Sequence, residues 1–397
     1  MSLEAPLGVM SFTRLERVVF GPGRIAALGE ELAQQGASRA VVVTGKTLGR
    51  SGLLERVTSA MGGRCAGVFA GAAQHAPFQT VRDLTAELER LDADAVVSFG
   101  GGSAIDTAKV AAASVMNGRD MTREAGELNF ATAFVQVAGG RELLHIAVPT
   151  ALSAGEHTPA GGATDEASHV KRATIDPRLQ PRAIIYDPEL TVETPPRLWA
   201  STGMRALDHA VEAAYSARRQ PFIDALAAKA IRLLYAHLPA SLSARGDDAI
   251  AHRGHCQIAA WLSLSGGFNT GLGVSHALGH QIGPMWDVPH GVTSCITLPH
   301  AMRFMATVAP ERFEPIAEGL GVAFDPADPR PAAMACADRV AAFIAGFDVP
   351  SRLRDASVGH NQVRLVAAAV QHEIERFGVV GRPVTLEEVT SLLEASY

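Results

Sequence analysis

Apolar residues along the chain change period near its middle. In the first half they come in short runs that end at glycine or proline. RAVVVTG (39–45), DAVVSFGGG (94–102), LLHIAVPT (143–150) and RAIIYD (182–187) have strand length and β-branched content, and CAGVFAG (65–71) repeats the pattern more weakly. Between them, QTVRDLTAELERL (79–91) places Val81, Leu84, Leu88 and Leu91 at helical spacing. Strands that alternate with helices predict a parallel sheet with helices on both faces. From about Pro188 the texture changes. STGMRALDHAVEAAYSA, PFIDALAAKAIRLLYAHL, IAHRGHCQIAAWLSLSGG and PAAMACADRVAAFIAGF are rich in Ala and Leu with helical period. DPADPR (325–330) reads as a surface loop between helices. The pattern predicts an α/β domain over residues 1–187 and an all-α domain over 188–397.

Bulk properties narrow the partners. At 397 residues the chain exceeds one ordinary core, in keeping with two domains. Hydrophobic residues at 47% and charged residues at 19% are those of a folded soluble protein. A net charge of −6 and a pI of 6.2 leave no basic footprint for nucleic acid. The four cysteines, Cys65, Cys256, Cys295 and Cys336, are far apart, which predicts a reduced, cytoplasmic setting. MSLEAPLGVMSFTRLE lacks the basic-then-apolar order of a signal peptide. No apolar run approaches the roughly 20 residues that span a bilayer. Small-molecule chemistry remains.

VVSFGGGSAIDTAKV (96–110) is an apolar strand, three glycines, then a helix expected to start near Ser103. Ser103 suits an N-cap, and Asp106 lies three residues on, as in a capping box. Glycines let a ligand approach the backbone, and the helix N-terminus offers N–H groups to a phosphate. A dinucleotide site is one reading, and a tight turn without ligand is the other. The spacing is not GxGxxG.

FGPGRIAALGEEL (20–32), GGGSAIDTAK (100–109), IAVPTALSAGE (146–156) and GMRALDHAVEA (203–213), in this order, resemble the iron-containing alcohol dehydrogenase superfamily. The resemblance covers nearly the whole chain. It implies a dinucleotide-binding α/β domain, a helical domain, NAD(P)H in the cleft between them, and hydride transfer. It places Gly100, Gly101, Gly102, Ser103 and Asp106 at the cofactor phosphates, and Thr150 and Ser153 in a loop near the nicotinamide. Where the family carries Thr-Asp beside the adenosine ribose, this chain reads Thr44, Gly45, Lys46. An Asp there would repel a 2′-phosphate. Lys46 or Arg50 could pair with one, so NADPH is expected to be accepted, unless both are merely solvated loop charges. A homodimer is a further family expectation.

The family binds divalent iron or zinc through an Asp and a His four residues apart on one helix, and through two later His. By resemblance the first pair falls on Arg205 and His209, and the later pair on Leu272 and His290. Only His209 and His290 then keep a ligand's identity, and a cation occupies the Asp position. A bound metal is therefore not expected. HALGH (276–280) followed by Pro289-His290, FAGAAQHAPFQT (69–80) and DPRLQPRAIIYDPELT (176–191) resemble the maleylacetate reductase branch. GGGSAIDTAK and PHGVTSC resemble the general alcohol dehydrogenases.

Hydride addition to a carbonyl or conjugated double bond leaves negative charge on oxygen. Without a metal, a protonated His or an Arg can stabilise or protonate it. Arg205 is the candidate substrate anchor or oxyanion partner, with His209, His276, His280 and His290 for proton handling and positioning. Arg205, Asp208, His209 and Glu212 also fit a salt-bridged helix face. His157 and His300 read as structural, and His75, His237, His252, His255 and His372 as ordinary surface or helix residues. Three functions follow: a metal-independent reductase of a small oxo- or unsaturated acid, a metal-dependent alcohol dehydrogenase with substitute ligands, or a nucleotide-binding protein that has lost its chemistry.

Overall fold

A computed structural model of the chain describes residues 9–124, 142–168 and 170–397. Six strands, β1 (Arg17–Phe20), β2 (Ala40–Gly45), β3 (Cys65–Ala72), β4 (Ala95–Gly100), β5 (Leu144–Pro149) and β8 (Ala183–Tyr186), form one sheet in the order β1-β8-β5-β4-β2-β3. All neighbouring pairs are parallel. A separate antiparallel hairpin joins β6 (Ala160–Asp165) to β7 (Val170–Ile175). The helices of this half are α1 (Leu28–Gln34), α2 (Gly52–Met61), α3 (Phe78–Arg90), α4 (Gly102–Asn117) and the short α5 (Met121–Glu124).

Strand side chains alternate between faces, and here both faces are covered. Val41, Val43 and Val96 pack with α3 and α4. Ala40, Val42, Ala95 and Val97 pack with α1 and α2 on the other side. That explains why the strands read as continuous apolar runs. Each fully buried valine contributes about 1.5–3 kcal/mol.

The order also fixes where a ligand would enter. From β2 the chain leaves towards β3, and from β4 it leaves in the opposite direction towards β5. The carboxyl ends of β2 and β4 therefore flank a topological switch point, where open α/β sheets bind ligands. Those ends are Gly45 and Gly100.

The second half is helical: α6 (Pro196–Tyr215), α7 (Pro221–Ser243), α8 (Gly246–Leu264), α9 (Val274–Trp286), α10 (His290–Val308), α11 (Glu314–Leu320), α12 (Pro329–Ala345), α13 (Ala367–Phe377) and α14 (Leu386–Ala395). The expected loop at 325–330 is shorter, because Pro329 already opens α12, where its missing N–H costs nothing. Helix α6 is the axis of this half. It packs on α7, α8 and α10, and every residue from Trp199 to Tyr215 is buried. A helix buried all round is normally apolar. This one carries Arg205, Asp208, His209 and Glu212 inside it. Among the described residues no helix is long and apolar enough to cross a membrane.

Candidate active site between sheet and helices

The glycine turn closes β4 onto α4. Gly100 has φ +151°, and a side chain there would meet Ala104 Cβ at 3.1 Å. The expected Ser103 cap is corrected by the structure. Helix α4 starts at Gly102, its N-cap is Gly101, and no side chain caps it. Ala104 N and Ile105 N turn back to Gly101 O, and no side chain takes up the N–H groups of Gly102 and Ser103. Asp106 closes no capping box; it pairs with Lys171 Nζ at 3.0 Å.

The loop after β5 folds over this turn. Thr150 N donates to Gly100 O at 3.0 Å, and a side chain on Gly102 would meet Ser153 Oγ at 3.2 Å. Lys109, fully buried on α4, holds the loop by donating to Gly155 O at 2.7 Å and Ala160 O at 3.1 Å. Burial pushes its ammonium down to about 8. Thr44 Oγ1 and Ser153 Oγ are buried without a partner, as expected of groups that wait for a ligand's polar atoms. Lys46 and Arg50 are exposed at the end of β2.

Below the turn, α6, α9 and α10 bring the histidines together. The His209 and His276 rings are 4.9 Å apart. The His280 ring is 6.2 Å from His276 and 6.1 Å from His290. Lys171 Nζ lies 3.4 Å from His290 Nε2 and so links this cluster to Asp106 on α4. Arg205 Nη1 donates to Ser294 Oγ at 3.1 Å, and Ser294 donates to Asp208 at 2.6 Å. His276 stands beside His209, and Leu272 lines the same small cavity. Leu272 packs against the helical core.

Glu212 organises α9. Its carboxylate accepts from Gly273 N at 2.8 Å, Ser275 N at 2.6 Å, Tyr215 Oη at 2.7 Å and His276 Nδ1 at 2.5 Å. Burial raises the Glu212 carboxyl, while the donors from Tyr215, Ser275 and Gly273 and the Arg205 charge act the other way. The tautomer that donates from Nδ1 leaves His276 Nε2 open, and that atom is buried without a partner. Burial, then the Arg205 charge, holds His276 well below the usual imidazole range. His209 and His290 are lowered too, burial first, then neighbouring cations and imidazoles. Burial raises Asp208 well above the usual carboxylate range, and Glu212 adds to it.

Three contributors escaped the sequence. Lys171 comes from a hairpin without an apolar period. Glu373 on α13 accepts from His280 Nδ1 at 2.6 Å. His75, expected to be ordinary, lies at the cleft, its ring 5.8 Å from His290 and its Nε2 3.2 Å from Asp287. The one local signal was composition: AAQHAPF carries a histidine two residues before a proline, just past a strand end. His157, by contrast, is buried against Tyr186 Oη at 2.7 Å, and His237, His252 and His255 cluster on α7 and α8.

A doubly covered parallel sheet ends in an uncapped glycine turn, the helical half gathers buried imidazoles near an arginine, and Lys171 links the two. The sequence pattern of the iron-containing alcohol dehydrogenases matches residues 16–188, and that of the C-terminal part of the same family matches residues 199–397. The chain belongs to the iron-containing alcohol dehydrogenase family and is an oxidoreductase. Maleylacetate reductase of Burkholderia cepacia is 34% identical over 313 residues, 79% of this chain and 80% of the relative. NAD-dependent methanol dehydrogenase of Bacillus methanolicus is 31% identical over 354 residues, 88% and 90% of the two chains. The solved alcohol dehydrogenase from Oenococcus oeni superposes with a TM-score of 0.89 at 27% identity, covering 98% of this chain and 100% of that one.

Proposed function

We propose that the protein reduces a small oxo-acid or conjugated unsaturated oxo-acid with NAD(P)H, and that Arg205 takes the electrostatic role a metal has elsewhere in the family. The observation that carries this reading is the buried guanidinium whose charge acts on His209, His276 and His290. Arg205 spends one hydrogen bond on Ser294 among the described residues, so the rest of its fork can meet a carboxylate or a developing oxyanion. In a water-poor site such a donor stabilises charge far more than in water. The likeness to maleylacetate reductase supports the acid substrate.

The cofactor fits the residues present. The uncapped α4 N-terminus suits a pyrophosphate, and the unpartnered Thr44 and Ser153 hydroxyls suit its sugars. Lys46 and Arg50 suit a 2′-phosphate. A bound nicotinamide supplies the hydride. The chain's residues do the rest: Arg205 holds the substrate oxygen, Glu212 keeps His276 Nε2 directed at the cleft, and an imidazole delivers the proton.

A divalent ion fits poorly. Among the described residues, the group whose ligand atoms lie within 4.8 Å of one another is Asp208, Glu212 and His276. Both Glu212 oxygens, Asp208 Oδ2 and His276 Nδ1 are engaged in hydrogen bonds, Asp208 Oδ1 is buried without a partner, and the Arg205 cation stands 3.8 Å from Asp208 Oδ2. One observation favours the metal-dependent reading: His209 Nδ1, His276 Nε2 and His290 Nδ1 are buried without partners. Metal content of the purified protein separates the two. NADPH oxidation with maleylacetate, compared with simple aldehydes, tests the substrate class. If no carbonyl or enoate acceptor consumes cofactor, the proposal fails.

A further inference from the structure

We propose that Glu373 is a positioning residue for the reaction, fixing the tautomer and direction of His280 so that this imidazole relays protons between solvent and cleft. The proposal rests on the hydride-transfer reading above. Glu373 is 93 residues from its partner in sequence. It lies on the inward face of α13 with Ala367, Val370, Ile374 and Phe377. A carboxylate among such neighbours costs stability unless its oxygens are satisfied. Both are: Oε1 accepts from His280 Nδ1 at 2.6 Å and Oε2 from Gln281 Nε2 at 2.8 Å. Two consecutive residues of α9 are thus gripped by one buried carboxylate.

The grip has a chemical consequence. An ionised carboxylate only accepts, so His280 must donate from Nδ1. Its Nε2 is left on the side of the ring away from Glu373, and the His276 and His290 rings stand edge-on to His280 at 6.2 and 6.1 Å. His280 is also the more open of the two imidazoles that a buried carboxylate backs: its side chain is 25% exposed, against 2% for His276. That combination is what a relay needs. During reduction, His280 protonated at Nε2 gives that proton to the substrate oxyanion or enolate, the hydride having come from NAD(P)H. The neutral imidazole then regains a proton from water. Glu373 stays ionised throughout, and one hydride and one proton are consumed per turnover.

The test uses Glu373→Gln, Glu373→Asp and the wild-type enzyme. A glutamine keeps the size but can donate to the ring and so invert the tautomer. We expect Glu373→Gln to lower kcat by at least about 10-fold with the cofactor KM unchanged, and Glu373→Asp to restore much of it. Nitrogen-15 imidazole spectra, with His280 assigned through His280→Asn, are expected to show Nδ1–H in the wild type and its loss in Glu373→Gln. An unchanged tautomer in Glu373→Gln overturns the proposal, whether or not kcat falls. So does unchanged kcat with an altered tautomer. If the wild type itself turns over no acceptor, the reaction proposed above fails, and the tautomer spectra still decide the placement of His280.

Discussion

Arg205 stands one helical turn before His209 on a helix with no exposed side, and its neighbours answer its charge. Asp208 receives it through Ser294, and burial first, with the Arg205 charge adding to it, pushes His209, His276 and His290 towards neutrality. Arg205→Ala is expected to lower kcat/KM for an oxo-acid by about 100-fold, the usual loss for one oxyanion donor. The KM for cofactor should hold. A comparable loss on neutral aldehydes would mean that the arginine serves the oxyanion rather than a substrate carboxylate. At the other end of the cofactor site, Lys46→Ala is expected to raise the KM for NADPH several-fold and leave that for NADH unchanged. Equal changes for both would remove the phosphate pairing. Arg205, His209, His276, His280 and His290 were legible because each belongs to a short motif with helical or loop spacing. Glu373, Lys171 and His75 were not, since each reaches the cleft from a segment far away in sequence. The resemblance put Leu272 at a former ligand's place, and the ring beside His209 is that of His276.

At the scale of elements, α9 depends on a residue it does not contain. Glu212 of α6 accepts from Gly273 N and Ser275 N, so it places negative charge at the α9 N-terminus, where the helix dipole favours it. A side chain at Gly273 would lie 2.3 Å from the Glu212 carboxyl carbon. Gly273→Ala must therefore displace a buried carboxylate from four donors. We expect a loss of about 3 kcal/mol in stability, read as a lower urea midpoint at constant slope, with activity falling as His276 loses its support. A change under about 0.5 kcal/mol, as for ordinary surface sites, would show that Glu212 is not held there. The sheet elements illustrate what patterning carries. β2, β4, β5 and β8 are buried on both faces and announce themselves as apolar runs. β1 has four residues at a sheet edge, half of them exposed. The β6–β7 hairpin reads AGGATD and VKRATI, and it rests on α4 rather than entering the main sheet. Neither has a period to find.

Among the histidines that burial keeps neutral are two with no proposed part in the reaction, His145 and His157. Burial lowers His145, hydrogen-bonded to Ser98, to about 3, and His157 also to about 3. Above pH 6.5, the ordinary imidazole value, neither state binds these protons. Between 6.5 and 3 the unfolded chain takes them up and the folded chain does not. Stability should fall as the pH drops through that window, by about 1.4 kcal/mol per pH unit for each group. Urea midpoints at pH 7, 6 and 5 check this above the carboxylate range, and His145→Gln should flatten the trend. A midpoint constant from pH 7 to pH 5 would mean that both imidazoles are protonated in the fold.

The central claim is hydride transfer to an unsaturated oxo-acid with Arg205 where the family places a metal's ligand. Its most direct test is NADPH oxidation with maleylacetate by protein dialysed against a strong chelator and verified as metal-free. The account predicts a rate equal to that of untreated enzyme and no gain on adding iron(II) or zinc(II). Loss of activity on chelation, restored by either ion, would contradict it.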